Sequence, residues 1–150
     1  NLQVYFLHHR FAGQIEIMNS KKGVIQDRTI YEDVEIFARN LHQMHYMTDR
    51  DWETYKGLFN NMTQFLRKPD LIIYLRASTD TLLSRIENRN RNFERDIAPA
   101  YLHSLNIAYD QWIKNCRDFK VLIIESDGFN IFNDNRKLTT ILTQIEEALS

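Results

Sequence analysis

Three short runs of branched apolar side chains constrain the fold more than any other feature: Gly23-Val24-Ile25-Gln26-Asp27, Leu71-Ile72-Ile73-Tyr74-Leu75 and Val121-Leu122-Ile123-Ile124. None alternates cleanly between apolar and polar residues, the pattern of strands in a parallel sheet covered on both faces. Long stretches with helical spacing separate them. Leu2 to about Asn19 carries Leu2, Phe6, Ile15 and Met18, broadened by Tyr5, Phe11 and Ile17, and stops at Ser20-Lys21-Lys22-Gly23. Thr48-Asp49-Arg50-Asp51 puts a hydroxyl at an N-cap with a carboxylate three residues on, ahead of Trp52, Tyr55, Leu58, Phe59 and Met62. Pro69 closes that stretch. Ser78 to about Asn90, Ala100 to about Asn115 and Arg136 to Leu149 read as further helices. The order helix, strand, helix, helix, strand, helix, helix, strand, helix is an α/β alternation, and its sheet needs at least one more strand.

Composition bounds what such a chain can do. Its 150 residues, 43% hydrophobic with four glycines and two prolines, suit one domain over 1–150 and exclude disorder and collagen. Nineteen basic against twenty acidic residues leave a net charge of -1, so nothing draws the whole chain to nucleic acid or a membrane surface. Phosphate chemistry must come from local clusters. Apolar runs stop at about five residues, far short of the roughly 20 that cross a bilayer. Cys116 has no second cysteine to pair with, and Asn1-Leu2-Gln3 is not a secretory leader, so the expected setting is a reducing cytosol. The chain opens on Asn within a helical pattern, which points to a start partway into a longer protein.

Four local patterns can carry chemistry, each with a plainer reading beside it. Asp27-Arg28-Thr29 follows the first apolar run, and in open α/β sheets ligands gather beyond the carboxyl ends of strands. A carboxylate, a guanidinium and a hydroxyl there serve a metal-phosphate group or a reacting hydroxyl, or else form a surface ion pair and a helix cap. Asp33 and Phe37 lie one turn apart, so they present a carboxylate and a ring to a nucleobase, or a first-turn acid and a core residue. Gln3 and Arg10 are two turns apart and offer a base edge a donor, an acceptor and a fork, or are simply solvated. Arg85, Arg89, Arg91 and Arg95 form a positive cluster suited to a triphosphate, or a solvated helix end. His8, His9, His42 and His45 lack metal-ligand spacing, and Asn61-Met62-Thr63 is a sequon inside a helical pattern. Gly13, Gly23, Gly57 and Gly128 do not form a phosphate-binding loop.

Taken in order, Gln3 with Arg10, the run Gly23 to Asp33, Ile36-Phe37-Ala38, Asp70 to Ala77, and Arg85 with Arg89-Asn90-Arg91 resemble the deoxynucleoside kinase family, nearest its bacterial deoxyadenosine/deoxyguanosine branch. The resemblance implies a three-layer P-loop kinase-like fold, a parallel sheet flanked by helices, whose first strand and phosphate loop would precede Asn1. It also implies transfer of the γ-phosphoryl of ATP to the 5′-hydroxyl of a deoxynucleoside, use of Mg2+, and a homodimer. Asp27 and Arg28 match the catalytic acid-arginine pair, with Asp27 a magnesium ligand. Gln3, Arg10 and Asp33 match base-reading residues, Phe37 stacks on the base, and Glu94 matches the acid at the sugar 3′-hydroxyl. Arg85, Arg89 and Arg91 match lid arginines over ATP, and the loop from about Ser126 to Phe132 falls where its base is held. Asn90 stands where many relatives have Gly, which bears on the shape of the lid. The neighbouring alternatives are a nucleoside monophosphate kinase such as thymidylate kinase, and a non-catalytic nucleotide-binding domain.

Overall fold

The computed structural model describes residues 2–91 and 97–150. The chain divides into two compact units, Asn1–Lys68 and Pro69–Ser150.

The first unit is helical. Helix α1 spans Leu2–Asn19; α2 is the single turn Ile30–Glu32, followed without a break by a π-helical segment, Asp33–Ala38, and by α3, Arg39–Gln43. Helix α4 runs Asp49–Thr63. Its start is the one the sequence marks: Thr48 is extended, and its hydroxyl accepts from the Asp51 amide at 3.2 Å. Asp49 and Asp51 add negative charge to the positive end of the helix dipole. The core joins these elements through Leu7 of α1, Ile30, Val34 and Ala38 of the middle stretch, and Trp52 and Tyr55 of α4. Phe11, Tyr31, Phe59 and Met62 pack around it. Along α1 the buried side chains are Leu7 and Gln14, seven residues and so two turns apart, which turns the face between them, Arg10 included, toward the interior.

The run from Gly23 to Asp27 is not a strand, a correction to the sequence reading. It is irregular, with Ile25 98% exposed. A strand exists only where a neighbouring backbone pairs with it, and every other described element of this unit is helical.

The second unit holds the sheet. Strands β1, Ile72–Arg76, and β2, Val121–Glu125, pair in parallel from Ile72 opposite Val121 to Arg76 opposite Glu125. Between them run α5, Thr79–Arg89, and α6, Pro99–Asn115; α7, Asn135–Leu149, follows β2. Each boundary has a chemical cause. Ser78 caps α5 through the Thr81 amide at 3.2 Å, Pro99 opens α6 with a φ already suited to a helix, and Asp134 caps α7 through the Lys137 amide at 2.9 Å. At the carboxyl ends of the strands, the ladder continues as Ser126 N–H donates to Arg76 O at 2.8 Å, and the Asp127 carboxylate accepts from the Ser78 amide at 2.9 Å. Among the described residues no helix is long and apolar enough to cross a membrane.

Removing the Thr48 hydroxyl tests the first unit directly. Thr48→Ala is expected to lower unfolding stability by about 1 kcal/mol with an unchanged m value in urea denaturation.

Candidate active site

The site is built around Arg10. From the inward face of α1 its Nε lies 3.4 Å from Asp33 Oδ2, while its Nη1 donates to the carbonyl oxygens of Asp27 at 3.1 Å and Arg28 at 3.4 Å. One guanidinium thus spans the start of the π segment and the loop before it. A guanidinium carries five N–H groups, and these contacts leave both hydrogens of Nη2 available to a ligand.

Asp33 is only 6% exposed. Burial raises its pKa above the ordinary aspartate value, opposed by the nearby charges of Arg10 and Arg28. Arg10 Nε meets Oδ2 at ion-pair distance, 3.4 Å, and no well-aligned hydrogen bond reaches that oxygen among the described residues. The Tyr55 hydroxyl is likewise buried and unpartnered. Burial, with Asp33's charge adding to it, pushes that phenol far up. Buried polar atoms are nearly always satisfied, so two orphans within electrostatic reach of each other single out this cluster as the candidate site.

Asp27 and Arg28 sit on the exposed side of the same cluster. Arg28 has φ +61°, a left-handed conformation that costs a non-glycine residue about 1–2 kcal/mol. Its guanidinium carbon lies over the Phe37 ring, 4.9 Å from the centroid. Next in the chain, Thr29 begins a capping box whose backbone amide donates to the Glu32 carboxylate. Glu32 has its pKa raised by burial, against the opposing Thr29 hydrogen bond and the positive charge of Arg28. Asp27's carboxylate makes no hydrogen bond or ion pair among the described residues.

The structure therefore brings Arg10, Asp27, Arg28, Asp33 and Phe37 together. Gln3 lies in the wall of a cavity of about 330 Å³, with Met47, Thr54 and Tyr55 among its other walls. Tyr55 links that cavity to Asp33. From the sequence Tyr55 is only one apolar position of a helical pattern, and Gln14, Gln26 and Glu32 have no role. The signal for Gln14 was its position one turn after Arg10; Tyr55 offered none, because a buried phenol at helical spacing looks like any core aromatic.

In the second unit Arg85 donates from Nη1 to Ser126 Oγ at 3.2 Å and from Nη2 to the carbonyls of Ser126 and Phe129. It ties α5 to the loop after β2, and Lys137 Nζ sits 5.0 Å from the Phe129 ring centre. Three of Arg85's five N–H groups are engaged in this way. Arg89 is in the last turn of α5, and Arg91 is exposed just beyond it. Asn90 between them ends the helix at φ 48°, ψ 39°. This left-handed cap is the position that Gly or Asn fills, which explains why Asn stands there without disrupting the turn. Glu94 lies outside the described residues.

A family model described as deoxynucleoside kinase matches residues 1–150. The chain belongs to the deoxynucleoside kinase family. It is 44% identical over 114 residues to the deoxyadenosine kinase of Dictyostelium discoideum, covering 76% of this chain and 46% of that one. It is 34% identical over 151 residues to the deoxyadenosine/deoxycytidine kinase of Bacillus subtilis (strain 168), covering 99% and 70%. Two structures of deoxyadenosine kinase from M. mycoides share its fold at 29% identity. The one with bound dATP gives a TM-score of 0.78 over 94% of this chain and 72% of its own, and the one with products dCMP and dCDP gives 0.81 over 97% and 72%. The chain thus spans about half the length of the first curated relative and some seven-tenths of the second. The α/β, P-loop kinase-like fold expected from the sequence is the fold of these relatives.

Glu32 supplies a pH test of the capping box. Because burial raises its folded pKa above the ordinary 4.5, the stability tied to its neutral form is complete below that value and lost as pH rises through the folded pKa. Glu32→Gln mimics the neutral acid at every pH. In urea denaturation from acid to neutral pH, the stability of the parent relative to Glu32→Gln is expected to fall and then level off; a rise would show that the Thr29 hydrogen bond outweighs burial.

Proposed function

We propose that the protein is an ATP-dependent deoxynucleoside 5′-kinase whose acceptor is a purine deoxynucleoside, and that the Arg10–Asp33 cluster reads the base. The observation that carries this reading is the orphaned, buried Asp33 Oδ2 beside an arginine with an uncommitted Nη2. The carboxylate accepts from an amino or ring N–H of a base, and the guanidinium donates to a neighbouring ring nitrogen or carbonyl. A base lacking that edge leaves Asp33 Oδ2 and Arg10 Nη2 without hydrogen-bond partners, which is how such a site discriminates. Phe37 supplies the stacking surface and Gln3 a further polar group. The curated relatives carry names that include deoxyadenosine and deoxyguanosine kinase, which favours purines.

In this reading Asp27 and Arg28 act at the 5′-hydroxyl and the phosphates. Asp27 is the residue that would hold magnesium: one exposed carboxylate with no other partner suits an ion that keeps several waters and takes phosphate oxygens as further ligands. The ion would supply neutralisation of phosphate charge. Arg28, its carbonyl bonded by Arg10 and its guanidinium resting over Phe37, adds positive charge. Arg85, Arg89 and Arg91 are assigned to the phosphates of ATP, Arg85 through the two N–H groups that its loop contacts leave over. Glu94 is assigned to the sugar 3′-hydroxyl. Such a site works by positioning and charge stabilisation, since phosphoryl transfer asks little covalent chemistry of the protein.

A homodimer in the cytoplasm completes the proposal. Its support is the outward face of α1, where Leu2, Tyr5 and Phe6 are exposed and the Tyr5 and Phe6 rings meet edge to face.

Phosphorylation assays of the full-length enzyme with ATP and each of the four deoxynucleosides test the reading. Activity is expected with a purine deoxynucleoside first. Asp33→Ala is expected to lower kcat/KM for the preferred nucleoside by about 100-fold and for the others by much less. An equal loss for all four would make Asp33 a structural residue.

A further inference from the structure

We propose that Gln14, acting through Gln26, is a positioning residue that holds the Asp27–Arg28 loop in its working conformation; this rests on the kinase reading of that loop. Gln14 is 7% exposed on α1, one turn beyond Arg10 on the same inward face. Its side-chain Nε2 donates to Oε1 of the half-buried Gln26, the residue immediately before Asp27. Two successive turns of α1 therefore grip three successive loop residues: Gln14 takes the side chain of Gln26, and Arg10 takes the carbonyls of Asp27 and Arg28.

The loop needs this grip. Among the described residues, none from 23 to 28 belongs to a helix or a strand ladder, and none makes a backbone hydrogen bond to another turn or loop. At its end Arg28 is held at φ +61°, a strained conformation that persists only when the surroundings over-determine it. Arg10 cannot be the sole hold, because it also faces Asp33, and in the kinase reading it turns its remaining donors to the base. A contact shared with the substrate changes when substrate arrives. The Gln14–Gln26 bond involves neither Arg10 nor Asp33, so it keeps the loop in place through that change. Two neutral amides suit the task, since they add no charge to compete with Asp27, Arg28 or a phosphate.

The test uses the full-length enzyme with Gln14→Leu, Gln26→Leu, the double variant and Gln14→Glu, read by kcat, by KM for the preferred deoxynucleoside, and by hydrogen–deuterium exchange at the Thr29 amide, which is bonded to Glu32 at the end of the loop. Each leucine variant is expected to lower kcat about tenfold with KM within about twofold, because the loop is misplaced while the base site is intact. The double variant is expected to fall no more than about threefold further, as two partners of one bond are not additive. Gln14→Glu is expected to recover kcat to within about threefold of the parent, its carboxylate accepting from the Gln26 amide turned the other way. Exchange of the Thr29 amide, which donates to the Glu32 carboxylate where the loop ends, is expected to quicken about tenfold in the leucine variants and not in Gln14→Glu. Should Gln14→Leu fail to fold, Gln26→Leu, altered only on the loop, carries the same readings. The proposal is overturned if the leucine variants keep kcat within about twofold and leave loop exchange unchanged, or if their losses multiply in the double variant. A parent enzyme that phosphorylates no deoxynucleoside overturns the kinase reading instead, while the exchange readout still decides whether Gln14 holds the loop.

Discussion

The buried contact between Arg10 and Asp33 is the interaction on which the first unit turns. Enclosing a carboxylate is unfavourable unless a cation and hydrogen bonds compensate it, and here the compensation is deliberately partial. Arg10 stands at ion-pair distance from one carboxylate oxygen while spending its hydrogen bonds on the loop before α2. The remaining need of Asp33 is what a ligand can satisfy. The same arginine ties the Asp27–Arg28 loop to the buried carboxylate, so one cation serves both.

Around that pair, backbone irregularity is concentrated. The π segment starts at Asp33, and left-handed Arg28 stands five residues before it. An i→i+5 turn displaces side chains from their ideal α-helical bearing, and such turns occur frequently at functional sites. Between the two irregularities the capping box of Thr29 and Glu32 restores order, converting a loop without backbone bonds into a helix in a single step. The core residues Ile30, Val34 and Ala38, on the inner side of this stretch, keep it anchored despite the change of helical pitch.

Much of this was legible in the sequence. Thr48 and Ser78 announced helix starts because capping is local chemistry, and two of the three apolar runs became the parallel strands because each finds its partner within its own unit. The third, Gly23 to Asp27, misled for the opposite reason: pairing is a property of two segments, and composition shows only one. For the site, spacing singled out Arg10, Asp33 and Phe37, but the engagement of Arg10 with backbone carbonyls 17 and 18 residues away is invisible to any periodicity. The roles of Gln26 and Tyr55 are hidden likewise, since they reside in which polar atoms burial leaves paired and which it leaves alone.

The two-stranded sheet has a consequence for how the second unit behaves. Among the described residues each of its strands is bonded on one side only, so β1 and β2 each present a row of backbone donors and acceptors along the other. Ile73, Leu75 and Ile123 add exposed branched side chains to these edges. Short, apolar, open-edged parallel strands are templates for further pairing. Freed from the rest of its chain, residues 69–150 would thus tend toward self-association through these edges.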